Sequence, residues 1–164
     1  MMRRSIEVQL RCHDDAEFAQ LVTELGEALT LINMWQLQRD GEALPCCLGC
    51  GGVQYEPPQL CGPVGGWAIA RDYPCQLLFD VRGIYRRKRG TCLDLACERA
   101  ARLRLKGLEA TVAVVFRYHA GRRLPGQYHA YVETPNGPQD PSYELQHNPG
   151  QCAGPGACDC TDHL

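Results

Sequence analysis

Neither sign of charge dominates this sequence, whose formal net charge is -2. A dedicated nucleic-acid binder carries a basic surplus, so this balance argues against that class. Basic residues do cluster at 86–89 and at Arg117, Arg122 and Arg123, but they read as solvated loops or faces. Long apolar runs are missing too, so no membrane-spanning segment is expected. No apolar stretch follows Met1-Met2-Arg3-Arg4, so no secretory signal is expected either. The expected compartment is therefore the cytoplasm, where disulfides are rare. There is no internal repeat, and 164 residues suggest one domain with appendages.

Cysteine is abundant: the chain has eleven. It divides by composition into four stretches. Residues 1–38 read as a strand followed by a helix. Ile6, Val8, Leu10 and Cys12 alternate with Glu7, Gln9 and Arg11, the period of a half-buried strand. Asp14 or Asp15 then suits a helix N-cap, and His13 reads as a cap or surface residue. Phe18, Leu21, Val22, Leu25, Leu29 and Ile32 keep helical spacing. This helix either stops near Gly26 or runs on towards Leu37, and Thr30 to Leu37 also suits a second strand. Residues 39–74 are irregular, rich in Gly and Pro, and hold Cys46, Cys47, Cys50 and Cys61. Residues 146–164 form a similar tail with Cys152, Cys158, Cys160 and His163.

The stretch 75–145 carries the chemistry. Residues 76–89 suit a short amphipathic helix leading to a basic loop, and Asp80 reads as a surface residue. Leu93, Ala96, Ala100, Leu103 and Leu105 form one apolar stripe of a helix that Gly107 ends. Cys92 falls in its first turn, where free N–H groups and the helix dipole favour a thiolate, with the basic run close by. Cys97 reads as a core residue within that helix. Thr111 to Phe116 is β-branched and nearly continuous, which predicts a central strand buried on both faces. His119 reads as a loop residue. Gln127 to Glu133 is a further strand, and Thr134-Pro135-Asn136-Gly137 a turn. A turn centred on Pro135 and Asn136 sets Tyr131 opposite Asp140, with His129 diagonal to Asp140 on the same face. A thiol on a helix, then a His and an Asp sharing a hairpin face, is the order of a nucleophile, a base and an orienting carboxylate.

Gly90-Thr91-Cys92, His129-Ala130-Tyr131 and Asp140-Pro141-Ser142 together resemble the motifs of the transglutaminase-like superfamily of papain-type cysteine enzymes. The resemblance covers roughly residues 75–145. It departs from the family in having Tyr131 where Trp is usual and a short hairpin between His and Asp. It implies an α+β fold with a papain/transglutaminase-like core, the nucleophile helix packed on an antiparallel β-sheet. It also implies a Cys92–His129–Asp140 triad acting as a peptidase or amidase on a protein or peptide substrate. Such a site needs a second oxyanion donor besides the Cys92 N–H; Gln76 and Trp67 are candidates. The alternative is a non-catalytic structural or interaction protein on the same scaffold, a component of a larger, phage-like assembly.

The cysteine-rich stretches lack the apolar content to hold themselves. Cys47-x-x-Cys50 is a metal half-site, and Cys158-x-Cys160, or Cys152, supplies another, so a structural zinc is expected. An iron–sulfur cluster would use the same ligands. Disulfides are a further option, since eleven cysteines less Cys92 leave an even ten.

Overall fold

The computed structural model describes residues 7–9, 15–57, 77–119 and 122–150. Cys12, His13, Trp67, Gln76 and the tail cysteines Cys152, Cys158 and Cys160 lie outside them. In chain order the elements are β1 (Glu7–Gln9), α1 (Asp15–Asp40), a 3-10 turn (Gly41–Ala43), β2 (Gln54–Tyr55) and β3 (Leu77–Phe79). They continue with α2 (Val81–Arg87), β4 (Arg89–Gly90), α3 (Cys92–Leu105), β5 (Thr111–His119), β6 (Arg122–Glu133) and α4 (Pro141–His147). The fold is α+β.

Helix α3 is the centre. Thr91 caps it, Asp94 at its third position returns the hydrogen bond to the Thr91 N–H, and Gly107 turns the chain away with φ +77. The expected single apolar stripe is too narrow a description. Every residue of α3 from Cys92 to Ala101 is buried, which marks a helix enclosed on all sides. One side carries Leu93, Ala96, Cys97 and Ala100 into a cluster with α1, β5 and β6. The other carries Leu95 and Ala101 into a second cluster with Leu48, Val53, Ile84 and Tyr85.

Helix α1 runs unbroken through Gly26 and through 30–37, excluding the second-strand option. Gly26 does not stop it because it lies at the crossing with α3: a Cβ there would meet Leu93 Cδ1 at 3.4 Å, and the Cys97 thiol donates to its carbonyl at 3.3 Å. Further along, Asn33 Oδ1 accepts from the Val81 N–H and Gln36 Nε2 donates to Asp80 Oδ2, each at 2.8 Å. Asp80 is thus fully buried rather than on the surface, and its other oxygen caps α2 through the Gly83 N–H. The helix expected over 76–89 is in fact β3, then Asp80, then α2. β3 pairs antiparallel with β1. The basic run is not a loop: Arg86 and Arg87 close α2, Lys88 turns the chain with φ +58, and Arg89 enters β4, which pairs parallel with β2.

Strands β5 and β6 form an antiparallel hairpin, with Val112 opposite Val132 and Val115 opposite His129. The prediction of a strand buried on both faces fails. Among the described residues β5 pairs only with β6, and Val115 is 46% exposed while Val112 packs against α3 and α1. A continuous β-branched run records strand preference, but not how many faces are covered. His119 ends β5, opposite Arg122, and is not a loop residue.

Candidate active site

The turn after β6 sets the geometry. The Gly137 N–H reaches the Thr134 carbonyl at 3.0 Å, with Gly137 at φ +110. Val132 and Gln139 then exchange two backbone hydrogen bonds of 2.8 Å. That register sets Tyr131 level with Asp140, and His129 reaches across diagonally: its Nε2 lies 2.6 Å from Asp140 Oδ2. Asp140 does not continue a strand. Its other oxygen accepts from the Tyr143 N–H at 3.1 Å and caps α4, which begins at Pro141, where the resemblance implies a strand, and reaches His147, inside the stretch 146–164 expected to be irregular. One carboxylate therefore orients the imidazole and starts a helix, which limits its freedom to turn away.

Cys92 lies at the same strand edge. The Val132 N–H points out of the hairpin towards Gln139, so the Ala130 N–H, two residues earlier, points out on the same side. The Ala130 amide lies beside the Cys92 sulfur and, with the Leu93 amide, favours its thiolate form. The structure thus brings His129 and Asp140 into contact and sets the Cys92 sulfur against the residue that follows His129.

The electrostatics depart from the expectation of a lowered thiol pKa. Cys92 is only 1% exposed, and burial pushes its thiol up to about 11, with the Asp94 and Asp140 carboxylates adding to the rise. The two backbone donors oppose that shift without cancelling it. The helix-start argument holds for a thiol in contact with water; here the loss of hydration outweighs the dipole. The Cys92 thiol is therefore protonated at neutral pH. Cys97, as expected, is a core residue with no exposure, and its thiol is pushed higher still, again chiefly by burial.

Two residues that support the site, and a third in a separate cluster, escaped the sequence reading. Asp94 is fully buried and accepts from the Phe79 N–H at 2.8 Å and the Thr91 N–H at 3.0 Å, joining β3 to the start of α3. Thr91 followed three residues later by an acid was the signal for it. Arg99 lies two turns after Cys92 on α3 and is 2% exposed. Its guanidinium donates to Gln139 Oε1 at 2.9 Å and Glu144 Oε2 at 2.8 Å, the two sides of Asp140. No local pattern announces such a residue. Arg99→Met should cost about 2 kcal/mol in denaturant unfolding, because Glu144 is left partly buried without its partner. Arg99→Lys should recover little of this, since one ammonium cannot serve both acceptors in the fork geometry. The third is Cys46, whose sulfur lies with those of Cys47 and Cys50, all within 4.8 Å of one another. This cluster could hold a metal ion.

Tyr131, Glu133, Thr134, Gly137, Pro138 and Asp140 line an open pocket at the turn after β6. No family model matches the chain, and neither a curated protein nor a solved structure matches it. Among the described residues, no helix is long and apolar enough to cross a membrane.

Proposed function

We propose that this protein is a cysteine-dependent acyl-transfer enzyme, a peptidase or amidase with a papain/transglutaminase-like core. The observation that carries the reading is the 2.6 Å contact between His129 Nε2 and Asp140 Oδ2 at the strand edge that also receives the Cys92 sulfur. Cys92 Sγ attacks an amide or ester carbonyl, and its proton passes to His129. Because Nε2 is engaged by Asp140, Nδ1 is the ring nitrogen left to take that proton and to return it to the leaving amine. Asp140 holds the tautomer and stabilises the imidazolium. In this reading the Cys92 backbone N–H, at the start of α3, is one donor to the oxyanion. Water then releases the acyl group. The open pocket lined in part by Asp140 is where a protein or peptide chain would sit in this reading, and a reducing compartment such as the cytoplasm keeps the thiol free. The loop bearing Cys46, Cys47 and Cys50 takes no part in this chemistry; in this reading it carries a structural metal ion, zinc.

Burial of Cys92 means that substrate binding must expose the sulfur. The same burial favours the second reading, a non-catalytic scaffold within a larger assembly, phage-like in kind. Alkylation of the reduced protein by chloroacetamide across pH, mapped by mass spectrometry, separates the two. An unassisted thiol pushed up to about 11 gains reactivity by about tenfold per pH unit throughout the neutral range. The enzyme reading expects Cys92 to depart from that line. At neutral pH it should react at least about 10²-fold faster than Cys97, and His129→Ala should remove the advantage. Equal, slow labelling of Cys92 and Cys97 would overturn the enzyme and leave the scaffold.

A further inference from the structure

We propose that Cys46, Cys47 and Cys50 together form a three-thiolate site for a tetrahedral divalent ion, zinc by ligand chemistry, which clamps residues 45–53 against α2 and α3. The inference rests on the structural-metal reading above and is independent of any catalysis by Cys92. It replaces the pairing of Cys47 and Cys50 with Cys158 and Cys160 as the core ligand set, since the third thiolate is supplied locally.

Geometry is the first argument. Zinc–thiolate bonds of about 2.3 Å in a tetrahedron place the sulfurs about 3.8 Å apart. The three sulfurs already lie within 4.8 Å, so side-chain adjustments of about 1 Å or less complete the arrangement. The backbone is also folded for it. Gly51 N–H bonds the Cys47 carbonyl at 3.0 Å, Gly52 N–H bonds the Gly49 carbonyl at 2.9 Å, and Gly52 takes φ +63. This tight turn aims the Cys50 N–H at the Cys47 sulfur, 3.4 Å away, a hydrogen bond that supports a thiolate ligand.

Charge and packing agree. Binding releases three thiol protons to solvent, and three thiolates with a divalent ion carry one net negative charge. Cations stand at both ends of the loop: Lys88 Nζ donates to the Gly51 carbonyl at 2.6 Å and Arg102 to the Pro45 carbonyl at 2.7 Å. Arg102 also pairs with the buried Glu98, which accepts from the Tyr85 hydroxyl at 2.8 Å. The Tyr85 ring packs on Gly51 so closely that a Cβ there would lie 2.4 Å from its Cε1. The loop is thus seated on α2 and α3 by polar and steric contacts, while Cys50 is exposed and leaves a fourth position open to water or a further thiolate.

The test is metal analysis of the full, reduced chain, followed by replacement of zinc with cobalt(II), whose thiolate charge-transfer absorption reports sulfur ligands. One metal per chain is expected. Cys46→Ser, Cys47→Ser and Cys50→Ser should each weaken its retention against a chelator by more than about tenfold. In any such variant that still binds cobalt, the charge-transfer band should fall by roughly one part in three, one thiolate of three. Cys46 is partly exposed, so its replacement by serine leaves the core packing in place. A reduced chain that binds no metal, or a chain whose mass before reduction shows a Cys47–Cys50 disulfide, overturns the site and the structural-metal reading together. Metal that is retained in full by Cys46→Ser but lost in Cys158→Ser or Cys160→Ser overturns this ligand set alone.

Discussion

Replacing Asp94 by alanine should lower the stability of the protein by about 4 kcal/mol, measured as a shift of the denaturant midpoint with the slope unchanged. The carboxylate accepts from two buried backbone N–H groups, those of Phe79 and Thr91, and from the Thr91 hydroxyl at 3.0 Å. Alanine leaves those donors in a site with no access to water, and each unsatisfied buried donor costs about 1–3 kcal/mol. It also removes half of the capping box that starts α3. Asp94 further gives stability a pH dependence of defined sign. Burial pushes its carboxyl up to about 6 from an ordinary value of 3.8, against the opposing pull of the Phe79 and Thr91 hydrogen bonds. The native state therefore holds this proton more tightly than the unfolded chain does. The resulting stabilisation is fully present below pH 3.8 and is lost as pH rises through about 6. The stability difference between the wild type and Asp94→Asn, which cannot titrate, should change by about 2 kcal/mol in that direction between pH 4 and 7. A flat difference would mean that Asp94 is hydrated in the native state.

Asp140→Asn should lower His129-dependent reactivity of Cys92 by about 10²–10⁴-fold while leaving the fold intact. Asn retains an oxygen for the Tyr143 N–H, so the cap of α4 survives. What it loses is the negative charge 2.6 Å from His129 Nε2, and with it the stabilised imidazolium. Asp140→Ala should show the same loss of reactivity plus about 1 kcal/mol of destabilisation from the missing cap. If Asp140→Asn reacted like the wild type, the His129–Asp140 contact would be structural, and the scaffold reading would gain. The pair of variants separates the two duties of one side chain, which a single alanine replacement would blur.

Much of this geometry rests on short-range sequence features. The turn at Thr134–Gly137, read with strand period two, is enough to place His129 and Asp140 side by side. The capping pair Thr91 and Asp94, together with Gly107, bounds the helix that begins at Cys92. These features are local: a turn type, a cap and a periodicity each depend on a few neighbouring residues, so the chain carries them without reference to the rest of the fold.

Burial is not local, and there the sequence reading diverged from the structure. Asp80 looks like a surface acid until Asn33 and Gln36 arrive from α1, more than forty residues earlier, to satisfy the α2 start and enclose it. Helix α3 shows one apolar stripe in sequence, yet Glu98 and Arg99 on its remaining surface are buried because Tyr85, Gln139 and Glu144 supply their partners. The state of Cys92 was decided the same way. Its position at a helix start favours a thiolate, but α1, β6 and α3 remove it from water, and desolvation prevails. By itself, then, the sequence determined the start and end of α3, the turn at 134–137 and the shared face of His129 and Asp140, because those follow from backbone sterics and hydrogen bonding within a few residues. Which charges are buried, which thiols meet at Cys46, Cys47 and Cys50, and whether the Cys92 thiol rests protonated were decided only by tertiary packing. Solvation and charge pairing are set by segments distant in the chain.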